Sequence, residues 1–340
     1  RRGVPVKVAA GAAVIAVMWV GGLLGYRYGL PFIPLVAPTL ALALALWMTD
    51  IVVGRAERKQ RQFVQGAFGR YVAPAVVKQL MEDPAVLQVT GRRREATFIF
   101  TDVAGFTTLS EALTPERLSE VLNAYLQGAC EIILEHEGTI DKFIGDAIMS
   151  IFNAPIDQPD HAARAVRCAL DLDRYAEDFR IRNHAEGVPI GVTRIGLHCG
   201  DSVIGNFGSS QRMDFTALGD TVNTAARTEG VNKYFGTRIC CTQAVVDRAP
   251  DQAFRPIGDV VLKGKYEAVT LYNPASDAEL TSGLLDAYRT AYEAMGRGDA
   301  DALEGFRAIQ ARFPDDPLIA FHIERLTSGT VGTRIVMDDK

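Results

Sequence analysis

Two acidic residues carry the first chemical signal in this chain. Asp102 follows an apolar, β-branched and aromatic run, Thr97-Phe98-Ile99-Phe100-Thr101. That run predicts a buried strand ending on a carboxylate. Val103-Ala104-Gly105-Phe106-Thr107-Thr108 comes next, a turn with small residues ahead of a helical pattern. A carboxylate at a strand end can hold a hard cation, and the amides of such a turn can hold phosphate. Taken alone, the stretch also fits an ordinary capping aspartate. Asp146, in Ile144-Gly145-Asp146-Ala147, is a second carboxylate on a turn. Two carboxylates brought together without His or Cys favour Mg²⁺ or Mn²⁺ over zinc. Paired divalent ions on phosphates point to phosphoryl chemistry by the two-metal route.

A second group lies in Asp220-Thr221-Val222-Asn223-Thr224-Ala225-Ala226-Arg227. Asn223 and Arg227 stand four apart and share one helix face. Such a pair can grip a ribose and a phosphate and can stabilise charge developing in a transition state. A capping asparagine and a solvated arginine satisfy the same pattern. Lys263-Gly264-Lys265 suits either a triphosphate or a plain turn.

These residues need a scaffold, and the hydrophobic periodicity supplies one. A strand at 96–101 leads to an amphipathic helix at 114–137. Apolar runs at 139–143 and 147–152 form a hairpin with Asp146 at its tip. Asp160 caps a second helix that extends to about residue 184. Runs at 192–198 and 203–208 predict a hairpin about Gly200-Asp201. A strand at 213–218, a helix at 221–234 and strands at 238–241 and 260–271 complete the region. The class is α+β, and the order β-α-β-β-α-β is the ferredoxin-like plan with extra strands and helices. In that plan the strands carrying Asp102 and Asp146 can be neighbours. The plan hosts many activities, so function rests on the site.

The 340 residues imply about two domains with additions. The net charge of −5 gives no sign of a nucleic-acid partner. Five cysteines without metal-ligand spacing read as reduced thiols in a cytosolic setting. His198, in an apolar run, reads as a packed core residue. No charge falls within residues 8–26 or within 28–49. Each run is close to the ~20 residues of a membrane-crossing helix. With Arg27 and Gly29-Leu30-Pro31 between them, they predict a transmembrane hairpin over residues 4–53. Arg1, Arg2 and Lys7 precede it, and Arg55, Arg58, Lys59 and Arg61 follow it. The positive-inside rule then puts both flanks and the rest of the chain in the cytoplasm. The chain starts at Arg1, so an earlier span and an external domain are expected upstream. Residues 54–90 read as a linker, with a helix restarting at Pro74.

The motifs together resemble class III nucleotidyl cyclases, most closely bacterial membrane-bound adenylate cyclases. The residues that carry this are Phe100-Thr101-Asp102-Val103-Ala104-Gly105-Phe106-Thr107, Asp141-Lys142-Phe143-Ile144-Gly145-Asp146-Ala147-Ile148, and Phe215-Thr216-Ala217-Leu218-Gly219-Asp220 continuing to Arg227, with Lys263-Gly264-Lys265 as a late match. The resemblance covers roughly residues 95–273, within a catalytic domain placed at 91–275. It implies metal binding by Asp102 and Asp146 to two Mg²⁺ or Mn²⁺. Phe106 and Thr107 would approach the triphosphate. Lys142 and Thr216 would read the base, Asn223 would orient the ribose, Arg227 would stabilise the α-phosphate, and Lys263, or else Lys265, would bind the β- and γ-phosphates. Many relatives have aspartate where Thr216 stands. Guanylate cyclases of the family place glutamate and cysteine at the two base-reading positions, and neither is present. The resemblance therefore implies ATP as substrate, cyclic AMP and pyrophosphate as products, and a homodimer with both sites at its interface. It also implies a multi-pass protein of the plasma (inner) membrane, with residues 68–80 as a transducer element and a CHASE-type sensor upstream.

Residues 278–326 read as a tetratricopeptide-like helical tail. Leu284, Leu285, Tyr288, Tyr292 and Met295 line one apolar face, and Ala302, Leu303, Phe306, Ile309 and Phe313 line another. One such pair cannot bury its own face and must dock on a neighbour. The last dozen residues read as disordered. Rival readings are a guanylate cyclase, a catalytically silent transmitter, and a phosphoryl enzyme of another family. A GGDEF-type turn, the mark of diguanylate cyclases, is absent.

Overall fold

The computed structural model describes residues 3–28, 36–41, 44, 45, 48, 91–209, 211, 213–265 and 267–337. The linker and transducer expected at 54–90 lie outside the described residues. So does most of the second apolar run. The chain divides into two units, residues 1–72 and 73–340. In the first, helix α1 spans Gly3–Arg27, and Val17, Val20 and Leu23 are exposed on it. Trp19 Nε1 donates to Thr39 Oγ1 at 3.2 Å, so the two apolar runs touch. Among the described residues no helix is long and apolar enough to cross a membrane.

The second unit is built on one sheet. Its first half comprises β1 (Arg92–Val103), α2 (Phe106–Ala112), α3 (Pro115–Glu135), β2 (Thr139–Ile144), β3 (Ala147–Phe152), α4 (His161–Ala185), β4 (Thr193–Gly208) and β5 (Met213–Leu218). Then come α5 (Asp220–Gly230), α6 (Asn232–Phe235), β6 (Ile239–Thr242), α7 (Gln243–Val246), β7 (Phe254–Val261) and β8 (Ala268–Pro274). With β9 at Arg334–Val336, the sheet order is β2-β3-β1-β4-β6-β8-β7-β9, and β5 pairs with β4. Its first four strands have the ferredoxin-like order with β1 and β3 adjacent, as the alternation of elements led us to expect.

From Ala96 to Thr101 β1 is buried without interruption, because both its faces are covered there. Ile99 packs with Ile133, Phe152, Ala165 and Leu172 under α3 and α4. Phe98 and Phe100 pack with Met149, Ile151 and Ala225 under α5. Each such buried side chain contributes roughly 1.5–3 kcal/mol.

Three sequence expectations need correction. Residues 192–208 are not a hairpin. β4 is one 16-residue strand, and β1 pairs along it from Arg92↔Ile204 to Val103↔Thr193. Gly200 and Asp201 lie mid-strand opposite Ala96 and Glu95, and the Arg93 guanidinium on Asp201 at 2.8 Å supplies the opposite charge. Residues 260–271 are not one strand. They hold the end of β7, a turn with Lys263-Gly264-Lys265, and the start of β8, which pairs back antiparallel. Lastly, part of the final dozen residues is ordered: β9 (Arg334–Val336) pairs in parallel with β7.

The tail consists of α8 (Asp277–Thr281), α9 (Leu284–Arg297), α10 (Ala302–Gln310) and α11 (Pro317–Thr327). Tyr288, Met295, Phe306 and Leu318 bury themselves against Phe235, Ile257, Val260 and Leu271 of the sheet region. Arg255, nearly fully buried, joins the two parts through Glu279 at 3.0 Å and through Asp316.

Candidate active site

Asp102 is the penultimate residue of β1, and Arg194 of β4 lies directly opposite it. Arg194 Nη2 donates to Asp102 Oδ2 at 2.5 Å. Its Nε faces Glu229 Oε1 of α5 at 3.2 Å. A file of carboxylate, guanidinium and carboxylate thus runs from the strand end into α5. Glu229 is mostly buried, and burial first, then repulsion from Asp102, pushes its carboxyl up to about 7. α5 can come this close because β4 carries glycine at 196. A Cβ there would lie 2.0 Å from the Glu229 nitrogen.

Asp146 sits on the turn between β2 and β3. The Val103 N–H donates to its Oδ2 at 2.9 Å, which fixes the second carboxylate beside the first. Burial raises the Asp146 carboxyl, and the Asp102 charge adds to the rise. A half-buried carboxylate beside a second carboxylate calls for a cation, and the donors at this corner are oxygens only. The set fits Mg²⁺ or Mn²⁺. Next in the chain, Gly105 takes a left-handed φ of 71°, and Phe106 and Thr107 open α2. Both predicted metal residues and both predicted phosphate-approach residues therefore meet at the end of β1.

The predicted base readers meet elsewhere. Lys142 is on β2 and Thr216 on β5, and one buried carboxylate, Asp141, ties them together. Thr216 Oγ1 donates to Asp141 Oδ2 at 2.5 Å, and Lys142 Nζ lies 3.5 Å from Asp141 Oδ1. Burial raises the Asp141 carboxyl, opposed by the Thr216 hydrogen bond.

Asn223 and Arg227 are both on α5. The lysine turn packs against the second of them, since a Cβ on Gly264 would lie 3.4 Å from Arg227 Nη2. Lys265 Nζ pairs with Asp220, the first residue of α5, and this pairing lowers the Asp220 carboxyl. Arg227 and the Lys263–Lys265 turn are thus brought together.

Sequence reasoning gave no role to Asp141, Arg194 or Glu229. Arg194 is a charge within the otherwise apolar and small-residue start of β4, and that was the available signal for it. Asp141 and Glu229 stand near other charges, Lys142 and Arg227, which hides them. Asp141 stood within a quoted motif, yet only a sheet pairing β4 with β5 brings Thr216 to it.

Residues 89–273 match the family described as "Adenylate and Guanylate cyclase catalytic domain". Among curated proteins, "Adenylate cyclase 1" of Rhizobium meliloti is 38% identical over 206 residues, which is 60% of this chain and 31% of that one. The adenylate cyclase of Anabaena cylindrica is 35% identical over 216 residues, 62% of this chain and 41% of that one. The chain thus spans 31% and 41% of the length of these two relatives. Among solved structures, the adenylyl cyclase CyaB from P. aeruginosa is 32% identical with a TM-score of 0.52, covering 56% of this chain and 97% of its own.

Proposed function

We propose, from the premise that this chain belongs to the adenylate and guanylate cyclase catalytic-domain family, that it is an adenylate cyclase forming 3′,5′-cyclic AMP and pyrophosphate from ATP. One observation carries the reading: Asp102 and Asp146 are held side by side by the Val103 amide, next to the turn that opens α2. The substrate's 3′-hydroxyl attacks its own α-phosphate and pyrophosphate leaves. Asp102 and Asp146 would hold two Mg²⁺ or Mn²⁺, which when bound supply charge neutralisation on the phosphates and acidify the hydroxyl. The Arg194 guanidinium also balances the charge of Asp102. Phe106 and Thr107 present backbone amides to the triphosphate. Lys142 and Thr216 read the adenine edge, with Asp141 fixing their separation. Asn223 orients the ribose, Arg227 meets the charge that builds on the α-phosphate, and Lys263, or else Lys265, meets the terminal phosphates.

Exposed apolar side chains support a homodimer. Phe143 and Ile144 on the β2–β3 hairpin, and Val203, Met213 and Leu218 on β4 and β5, are exposed. A second copy would cover them. The metal carboxylates of one subunit would then face the base readers, Asn223 and Arg227 of the other. The uncharged runs at 8–26 and 28–49, flanked by basic residues, and the contact between Trp19 and Thr39 support a hairpin anchored in the plasma (inner) membrane with the catalytic part in the cytoplasm. Residues 54–90 would couple the two, so the mutual orientation of two catalytic domains would set activity.

The test is an assay of cyclic nucleotide and pyrophosphate with ATP and GTP in Mn²⁺ and in Mg²⁺. Cyclic AMP from ATP is expected, and Lys142→Glu combined with Thr216→Cys should lower ATP use and open GTP use. Absence of any cyclic nucleotide would remove the activity. Wild-type preference for GTP would make the chain a guanylate cyclase.

A further inference from the structure

The other end of β1 carries a second cluster, unlike the first in every donor. Glu95 of β1, His161 at the start of α4 and Cys199 of β4 each offer one ligand atom, and these atoms lie within 4.8 Å of one another. By strand alternation Glu95 and Asp102 point to opposite faces of the sheet, and seven residues of strand separate them by roughly 23 Å. The proposed catalytic chemistry uses none of the three.

We propose that Glu95, His161 and Cys199 form a binding site for one Zn²⁺ per chain, with the fourth position open to water on the Glu95 side. The geometry supports three protein ligands. His161 Nε2 lies 3.6 Å from Glu95 Oε1, too long for a good hydrogen bond. Two tetrahedral ligands with Zn–N and Zn–O bonds of 2.0–2.1 Å stand about 3.4 Å apart, close to that spacing. The ligand atoms lie within 4.8 Å of one another, and a tetrahedral site with a Zn–S bond of about 2.3 Å sets the sulfur about 3.5 Å from its neighbours, so a closure of at most about 1.3 Å completes the set. The surroundings supply what metal ligands require beyond themselves. His161 Nδ1 is 2.7 Å from Thr97 Oγ1. With Nε2 given to the metal, Nδ1–H donates to that hydroxyl and fixes the ring. Arg248 holds Glu95 through Nε at 2.7 Å and Nη2 at 2.5 Å. A carboxylate has about four acceptor positions, so lone pairs remain for a cation. His161 and Cys199 are buried while Glu95 is partly exposed, which leaves an entry path on one side. Thiolate, imidazole and carboxylate together select zinc over Mg²⁺. Without metal, burial pushes the Cys199 thiol up to about 11, so binding releases its proton to solvent. Occupancy would tie the first residues of β1 to β4 and α4, at the point where the chain enters the sheet.

The test uses the full chain stripped with a chelator and titrated with Co²⁺ in excess Mg²⁺, with Zn²⁺ as competitor. One equivalent should produce a near-ultraviolet sulfur-to-cobalt band that Zn²⁺ abolishes. C199S should lose the band, E95Q should bind at least 10-fold more weakly, and D102N should keep the sulfur-to-cobalt band. No band in the wild-type chain, or an equal band in C199S, would overturn the site. If C199S fails to fold, E95Q decides, because unchanged affinity there would also overturn it. The readout is independent of turnover, so failure here and failure of the cyclase reading remain distinguishable.

Discussion

The two ends of β1 present opposite chemistries on one strand. At its C-terminal end, Asp102 and Asp146 offer only oxygen, half-buried, beside a turn whose amides open a helix. At its N-terminal end, Glu95, His161 and Cys199 offer oxygen, nitrogen and sulfur, with the nitrogen and sulfur ligands buried and Glu95 partly exposed. The difference teaches that one strand can sort metals by donor softness. The first end suits a hard cation that must stay open to phosphate, and the second a borderline-soft ion held by the protein itself.

The largest effect should come from the catalytic end. Asp102→Ala or Asp146→Ala removes several kcal/mol of charge stabilisation, so cyclic AMP formation should fall by about three orders of magnitude or more. The Co²⁺–thiolate band at the far end should stay intact. Equal loss of both would break the comparison. Arg227→Ala comes next. It should cost about 2.7–4 kcal/mol of barrier, roughly 10²–10³ in kcat, with KM little changed. Steady-state kinetics on ATP check this.

Stability against pH sharpens the contrast further. The folded Glu229 carboxyl titrates near 7, above its ordinary 4.5. The native state therefore holds a proton that the unfolded chain has lost. Glu229's contribution is complete below pH 4.5 and is lost as pH rises through about 7. Glu229→Gln should flatten that decline by up to about 3 kcal/mol, as read from denaturant melts between pH 4.5 and 8. The smallest effect is expected for Asp141→Asn. Losing the carboxylate that joins Thr216 and Lys142 should weaken a charged hydrogen bond by about 1.5–3 kcal/mol. It should raise KM for ATP more than it lowers kcat.

Much of this was legible in the sequence. Asp102, Asp146 and the β-α-β-β-α-β order could be read because local periodicity and turn chemistry mark them. The meeting of Asp102 with Asp146 followed from topology alone. What escaped depended on partners distant in sequence. Gly200-Asp201 mimics a turn until β1 pairs across it. Arg194 and Glu229 gain their role only when α5 settles on Gly196. The cysteines showed no ligand spacing along the chain, yet Cys199 meets Glu95 and His161 across two strands and a helix. The order at Arg334–Val336 comes from an edge of β7, which no local pattern announces.

The central claim is that each chain carries both halves of a site completed by a second copy. Mixing Asp102→Ala with Arg227→Ala subunits tests it directly, because a heterodimer of the two holds one intact site and one doubly damaged site. Cyclic AMP formation should return to about a quarter of wild type on random pairing of equal amounts, where half the dimers are mixed and each has one working site. No recovery above the separate variants, with heterodimers shown to form, would contradict the shared site.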